Sequence, residues 1–130
     1  MKQLKTLISA FALVLAFVLP TQQLLAADMQ AGEFKGLSNH VTTGQVEVVK
    51  TANGYVIKLA DNFNFDGAPD PKVAFGANGK YDSSTLIAPL KSNTGAQTYE
   101  VPASIDVSKY NEVYIWCEKF NVGLGVASIK

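Results

Sequence analysis

The sequence predicts an all-β fold, an antiparallel β-sandwich or small barrel of about seven to eight strands. Three observations lead to this fold class. Apolar and polar residues alternate at a period of two, turn residues recur about every ten residues, and no amphipathic helix follows residue 27. Short strands at such even spacing are typical of sandwiches and barrels.

The first 27 residues have the features of a cleavable signal peptide. Lys2 and Lys5 precede a predominantly apolar run at residues 7–19, and Ala26-Ala27 provides a small-residue cleavage site. The run has 13 residues, whereas a membrane-spanning helix needs about 20, so an uncleaved anchor is the lesser alternative. We therefore expect a mature domain of residues 28–130 that is periplasmic or secreted and has no integral membrane span.

The first predicted strands flank a hairpin signal. Residues 44–51 and 54–61 alternate in polarity on either side of Asn53-Gly54. Asn-Gly is the strongest short-range hairpin signal because both residues tolerate a positive φ. Residues 33–36 are expected to form a short opening strand, preceded by a frayed start at residues 28–32.

Five further strands are predicted in the rest of the chain. The pair Asn78-Gly79 marks a second tight turn. Both faces of the stretch at residues 112–120 are apolar, which indicates a central strand that is covered on both sides. The five predicted strands are residues 72–75, 85–90, 97–101, 112–120 and 122–129.

Residues 61–71 form the longest irregular segment of the predicted domain. Asp61, Asp66 and Asp70 lie in it, and carboxylates at such spacings can hold Ca²⁺. The loop lacks the flanking helices and the final Glu of an EF-hand, so Asp and Asn side chains that cap turns are the simpler interpretation. Phe63 and Phe65 are expected to point inward and anchor the loop.

The charge of the mature chain excludes nucleic-acid binding. It carries nine Lys, no Arg and eleven acidic residues, a formal net charge of −2. Without Arg the chain lacks the bidentate fork that reads phosphates and base edges, and the sequence shows no basic patch.

The only cysteine, Cys117, is the main candidate for chemistry. It shares one strand face with Val113 and Ile115, where it could simply pack as a small apolar residue. An unpaired thiol in an exported protein is nevertheless unusual, and an accessible one could act as a redox thiol or as an axial ligand of haem iron. The sequence has no Cys-x-x-Cys-His for covalent haem and only one His, so a Cys/His zinc site and a blue-copper centre are excluded. We predict no metal site.

The single histidine, His40, precedes the first predicted hairpin and is a candidate second polar member of the site. A Cys-His hydrolase dyad is conceivable, but the sequence supplies no oxyanion hole and no orienting third group. We therefore expect that the chain is not an enzyme in its own right.

Several segments together resemble the DM-thirteen domain, an extracytoplasmic family described as an electron-transfer module. The stretch from Tyr114 to Val122, followed by Gly125 and Ala127, resembles the family's C-terminal signature around its cysteine. The other matching residues occur in the family's order and are His40, Gly44, Phe63, Gly67, Pro69, Asp70, Leu90, Gly95, Gln97, Tyr99 and Pro102. The resemblance covers roughly residues 33–130.

The resemblance implies a β-sandwich in which Cys117 works as a bare thiol or as the ligand of a prosthetic group such as haem. A cofactor would contact Cys117, Trp116 and His40, although haem is not required. Any electron donor would be a separate partner protein, and the oligomeric state is left open. The alternative function is a non-catalytic binding or adhesion module in which Cys117 is buried and the loop at residues 61–71 makes the contacts.

Overall fold

A computed structural model of the protein describes residues 28–130 together with Val14 and Ala16. Apart from these two positions, the predicted signal peptide lies outside the described residues. Within the described part of the chain, no helix is long and apolar enough to cross a membrane.

Seven strands of four or more residues build the domain, in agreement with the predicted strand number. Four two-residue strands and two short 3₁₀ helices, η1 (Ser83–Thr85) and η2 (Val107–Lys109), complete it. The strands are β1 (Met29–Gly36), β2 (Thr42–Thr43), β3 (Gln45–Thr51), β4 (Gly54–Leu59), β5 (Asn64–Phe65), β6 (Pro71–Ala77), β7 (Lys80–Tyr81), β8 (Ala88–Pro89), β9 (Gln97–Glu100), β10 (Glu112–Cys117) and β11 (Val122–Ser128).

One strongly curled antiparallel sheet forms a half-barrel, which confirms the predicted fold class. Its strand order is β7-β6-β10-β11-β1-β3-β4-β9, with β8 paired to β6 beside this path. The short strands β2 and β5 pair separately. The apolar side chains on the inner side of the curl form the core.

Strand β1 joins the two halves of the sheet. Its first part, from Met29 to Glu33, pairs with β3, and its last part, from Phe34 to Gly36, pairs with β11. Residues 28–32 were expected to be frayed, but all except Asp28 belong to this strand. Pairing with β3 along the chain outweighs the weak strand preference of Gln30 to Gly32.

The two Asn-Gly turns form hairpins, as predicted, with different geometries. In the first, Thr51 pairs with Gly54, so Ala52 and Asn53 are the central residues and only Gly54 has a positive φ, at 130°. In the second, both central residues have a positive φ, 54° at Asn78 and 83° at Gly79. This second turn has the geometry that favours Asn-Gly.

The inner side of β11 is closed by β2. Thr42 is buried and its hydroxyl donates to the carbonyl oxygen of Leu124 at 2.8 Å. A Cβ at Gly125 would lie 2.6 Å from Thr42 Cγ2, so only glycine allows this close approach. The pair Thr42–Leu124 therefore fixes the β2 segment against β11.

The predicted strand at residues 85–90 is wrong in most of its length. Residues 83–85 form the helix η1, and only Ala88 and Pro89 pair with β6. Thr85 is buried, where its hydroxyl accepts from the amide of Phe75 at 2.9 Å and donates to the carbonyl of Asp82 at 2.7 Å. These side-chain bonds replace a regular strand ladder with a local turn.

Candidate functional site

Cys117 is the last residue of β10 and faces the core. It is 1% exposed and is opposite Pro71 of β6 and Val122 of β11. It belongs to the same packed cluster as Ile115 and Leu124. The face that Cys117 was predicted to share with Val113 and Ile115 is therefore the buried face of β10, and the thiol lies in an apolar environment.

Trp116 lies on the opposite face of the same strand. Its indole stacks on the ring of Tyr81, with centroids 3.8 Å apart and an interplanar angle of 11°. Tyr114 meets the indole edge-to-face at 6.0 Å. Together these rings form part of an open surface groove of about 430 Å³. Trp116 and Cys117 are adjacent in the chain but do not share a surface.

The strand predicted at residues 112–120 ends earlier, at Cys117. The following residues turn into β11, and Phe120 is 59% exposed. The ammonium of Lys119 lies 5.5 Å from the Phe120 ring centroid. Strand alternation therefore stops before Lys119 and Phe120, and both side chains lie on an exposed turn.

His40 is bonded to Asp66, a residue of the long loop. Its Nδ1 lies 2.8 Å from Oδ1 of Asp66, and the imidazole packs near the ring of Phe65 at 5.8 Å between centroids. The amide of Val41 donates to the second carboxylate oxygen of Asp66 at 3.0 Å. The Val41 amide, and then the His40 imidazole, lower the pKa of the Asp66 carboxyl, because both stabilise the charged form.

Asp70, near the end of the same loop, likewise accepts hydrogen bonds from a segment that is distant in sequence. Its carbonyl accepts from the amide of Glu118 at 3.2 Å, and its Oδ2 accepts from the amide of Lys119 at 3.0 Å. Its Oδ1 lies 3.4 Å from the ammonium of Lys72. Asp70 is therefore fixed to the two residues that directly follow Cys117.

We call residues 66–70 the strap. One end is anchored to His40 and Val41 and the other to Glu118 and Lys119. The β2 segment that follows Val41 is bonded to β11 through Thr42. One end of the strap is therefore fixed beside Cys117 and the other beside the β2 segment on β11, and Ala68 in its middle packs against the core cluster that contains the thiol.

The strap carboxylates do not converge on a cation site. Asp66 and Asp70 are engaged with separate partners, as described above. Within the described residues, no group of three or more His, Cys, Asp and Glu side chains is arranged to hold a metal ion. The calcium alternative thus has no support, whereas the inward positions of Phe63 and Phe65, 1% and 3% exposed, are confirmed.

The residues around Cys117 do not fit a haem ligand in this conformation. A cofactor pocket has a volume of about 300–1,000 Å³, but the thiol is 1% exposed and packed among core side chains. Five surface grooves are prominent among the described residues, and Cys117 lines none of them. The sulfur of Cys117 therefore has no space beside it for a haem iron in this structure.

The family comparison identifies the same segments. The family model described as electron transfer DM13 matches residues 33–129, which include His40, the strap and Cys117. The chain belongs to the DM13 family. The resemblance stated from the sequence is confirmed, and with it the redox-related class of the DM13 domain. No curated protein and no solved structure matches the chain at a significant level.

The structure also shows roles that the sequence does not predict. The sequence indicates turn caps or calcium ligands at Asp66 and Asp70, but both residues fix the strap to distant segments. It gives no signal for Tyr81, the stacking partner of Trp116. The only sequence signal for the anchors was the enrichment of Asp and Asn in the loop, which identifies acceptors but not their donors.

Proposed function

We propose that this DM13 domain is an exported electron-transfer module whose redox group is the thiol of Cys117. The observation that carries the proposal is the family match over residues 33–129, which contains the chain's single cysteine at the end of β10. The features of the leader support export. Haem does not fit beside the sulfur, so the bare thiol is the form of the redox group that the geometry favours.

The proposed step is thiol–disulfide exchange with a disulfide, either a small molecule or one on a partner protein. The Cys117 thiolate attacks one sulfur, forming a mixed disulfide and breaking the incoming disulfide bond. The expelled thiolate takes up the proton that Cys117 released. Cys117 is oxidised, one sulfur of the incoming disulfide is reduced, and a second thiol reverses the step by attacking the mixed disulfide.

Burial places one requirement on this chemistry. At 1% exposure the sulfur is not within reach of an external disulfide, so the sheet end must open locally before attack. Cys117 is the last residue of its strand and is followed by an exposed turn. A local opening there costs less than global unfolding, because the ends of elements open more readily than their centres.

A binding module without redox chemistry is the second candidate, and the burial of Cys117 in an apolar cluster favours it. In that case the thiol contributes only to packing. The surface loop at residues 61–71 would then supply the contacts, since binding residues concentrate on loops over a rigid scaffold.

Reaction with oxidised glutathione separates the two candidates. Purified protein and a Cys117→Ala control are incubated with the disulfide at several pH values, and the mixed disulfide is followed by mass spectrometry. We expect one adduct, absent from the control and reversed by dithiothreitol, that forms faster than the protein unfolds globally. If the adduct forms no faster than the protein unfolds globally, the thiol is only a packing residue, and the binding module is then the supported function.

A further inference from the structure

We propose that the strap, residues 66–70, controls access to Cys117, and that Asp66 and Asp70 are the positioning residues that hold it closed. The inference rests on the proposed function, since it assumes that an external disulfide has to reach the sulfur. It adds a specific moving segment and two residues to which the sequence assigned no such role.

The two ends of the strap are held mainly by carboxylates. Asp66 accepts from the His40 imidazole and the Val41 amide at 2.8 and 3.0 Å, and its own amide donates to the Val41 carbonyl at 3.1 Å. Asp70 accepts from Lys119 through its side chain at 3.0 Å and from Glu118 through its carbonyl. Each carboxylate therefore fixes one end to a segment far away in sequence.

The middle of the strap is held weakly by comparison. Gly67 has a φ of 102° and a Cβ built there would contact only the side-chain nitrogen of Asn93, at 3.4 Å. Pro69 is exposed, and Ala68 contributes one methyl group to the core surface. Lifting the strap thus breaks polar contacts at its ends but exposes little apolar area. Segments with few buried apolar contacts can open separately from the core.

The position of the strap connects this opening to the thiol. Pro71, the residue after the strap, is opposite Cys117 in the β6–β10 ladder, and Glu118 and Lys119 continue that contact to Asp70. Release of Asp70 would free the two residues that follow Cys117 from the segment that leads into β6. Release of Asp66 would free the other end, where His40 lies, and this gives His40 a role that does not require contact with the thiol.

The first test uses the unmodified protein. Hydrogen exchange of the Glu118 and Lys119 amides, both of which donate to Asp70, is compared with exchange of the Ile115 amide in the centre of β10. If the strap opens independently, Glu118 and Lys119 exchange at least tenfold faster than Ile115. Equal rates for the three amides would mean that this end opens only with the whole sheet, and the proposal would be overturned.

The second test uses Asp66→Ala and Asp70→Ala, with Asp61→Ala as the matched control. Asp61 is exposed, lies in the same loop and belongs to neither anchor. Loss of a charge-assisted anchor should raise the labelling rate of Cys117 by a chromogenic aryl disulfide about tenfold in each anchor variant. The control should label at the wild-type rate. Wild-type labelling rates in both anchor variants, with intact folding by circular dichroism, would refute the role of the strap.

The outcomes distinguish this inference from the proposed function. If the anchor variants label faster but the wild-type protein forms no glutathione adduct ahead of unfolding, the strap controls access and the redox function fails. If the wild-type protein forms the adduct quickly and the variants are no faster, the redox function stands and the strap is not its gate.

Discussion

Substitution of Cys117 by serine should destabilise the domain more than substitution by alanine. The thiol is 1% exposed and lies in the apolar core. Cys117→Ala removes one buried sulfur. A buried methylene contributes about 0.8 kcal/mol, and the cavity left behind adds to the loss, so we expect the free energy of unfolding to fall by about 1–2 kcal/mol.

Cys117→Ser nearly conserves the volume but places a hydroxyl in the same apolar site. A buried hydroxyl without a partner costs about 1–3 kcal/mol, which adds to the lost burial of the sulfur. The expected total is about 2–4 kcal/mol. A redox study that used only the serine variant would therefore confuse loss of the thiol with loss of folding.

The assay is urea unfolding at equilibrium, followed through tryptophan fluorescence. Trp116 is the only tryptophan and lies beside the substituted residue on the other face of β10. Its stack on Tyr81 should make the signal sensitive to loss of the sheet. Circular dichroism provides a second probe of the same transition. A serine variant that is as stable as the wild type, or more stable than the alanine variant, would refute the apolar environment assigned to Cys117.

Three further predictions concern the scaffold around the site. Thr85→Val should lower the free energy of unfolding by about 1–3 kcal/mol in urea, because it leaves a buried β6 amide without its acceptor, whereas Thr85→Ser should retain most of the stability. Gly125→Ala should give little folded protein by circular dichroism, because its Cβ would lie 2.6 Å from Thr42 Cγ2; normal folding would contradict the close approach of β2 to β11. The pKa of Asp82 is lowered in the folded state because the Ser84 hydroxyl, and to a lesser extent the Tyr110 hydroxyl, donate to its carboxylate. The contribution of Asp82 to the stability of the fold is therefore fully present above about pH 4 and is lost as the pH falls through the lower native pKa. Asp82→Asn should therefore flatten the acid limb of stability against pH, and an unchanged limb would contradict that assignment.

The sequence predicted the elements in which local pattern and tertiary burial agree. Alternation predicts β3 and β4 on either side of the first turn, and it places Val113, Ile115 and Cys117 on one face, which is the buried face of β10. It failed where side-chain bonds to distant backbone decide the conformation, as in the segment after Thr85. Strand pattern could not show where β10 ends, because Lys119 and Phe120 continue a plausible alternation into a turn.

The candidate site was only partly accessible from the sequence for a similar reason. Its residue types are visible, but the contact of His40 with Asp66 spans 26 positions and that of Asp70 with Lys119 spans 49. Nothing in local periodicity specifies which donor an Asp in a loop will find. The family resemblance includes His40, Asp70 and Lys119 but not Asp66, and it does not indicate why these residues occur together.

The shared strand β1 also has a consequence for how the domain folds. The first strand is bonded to β3 and to β11, and the amides and carbonyls of Ala31 and Lys130 exchange two hydrogen bonds of 3.1 Å. The half-barrel cannot close until β11 is available to pair with β1, because the central pairing joins segments from opposite ends of the domain. Such non-local pairing is intrinsically slow, on a scale of about milliseconds to seconds. Until that pairing forms, β1 and β3 leave an open strand edge that can pair with another chain. A chaperone that shields this edge should therefore raise the yield of folded protein.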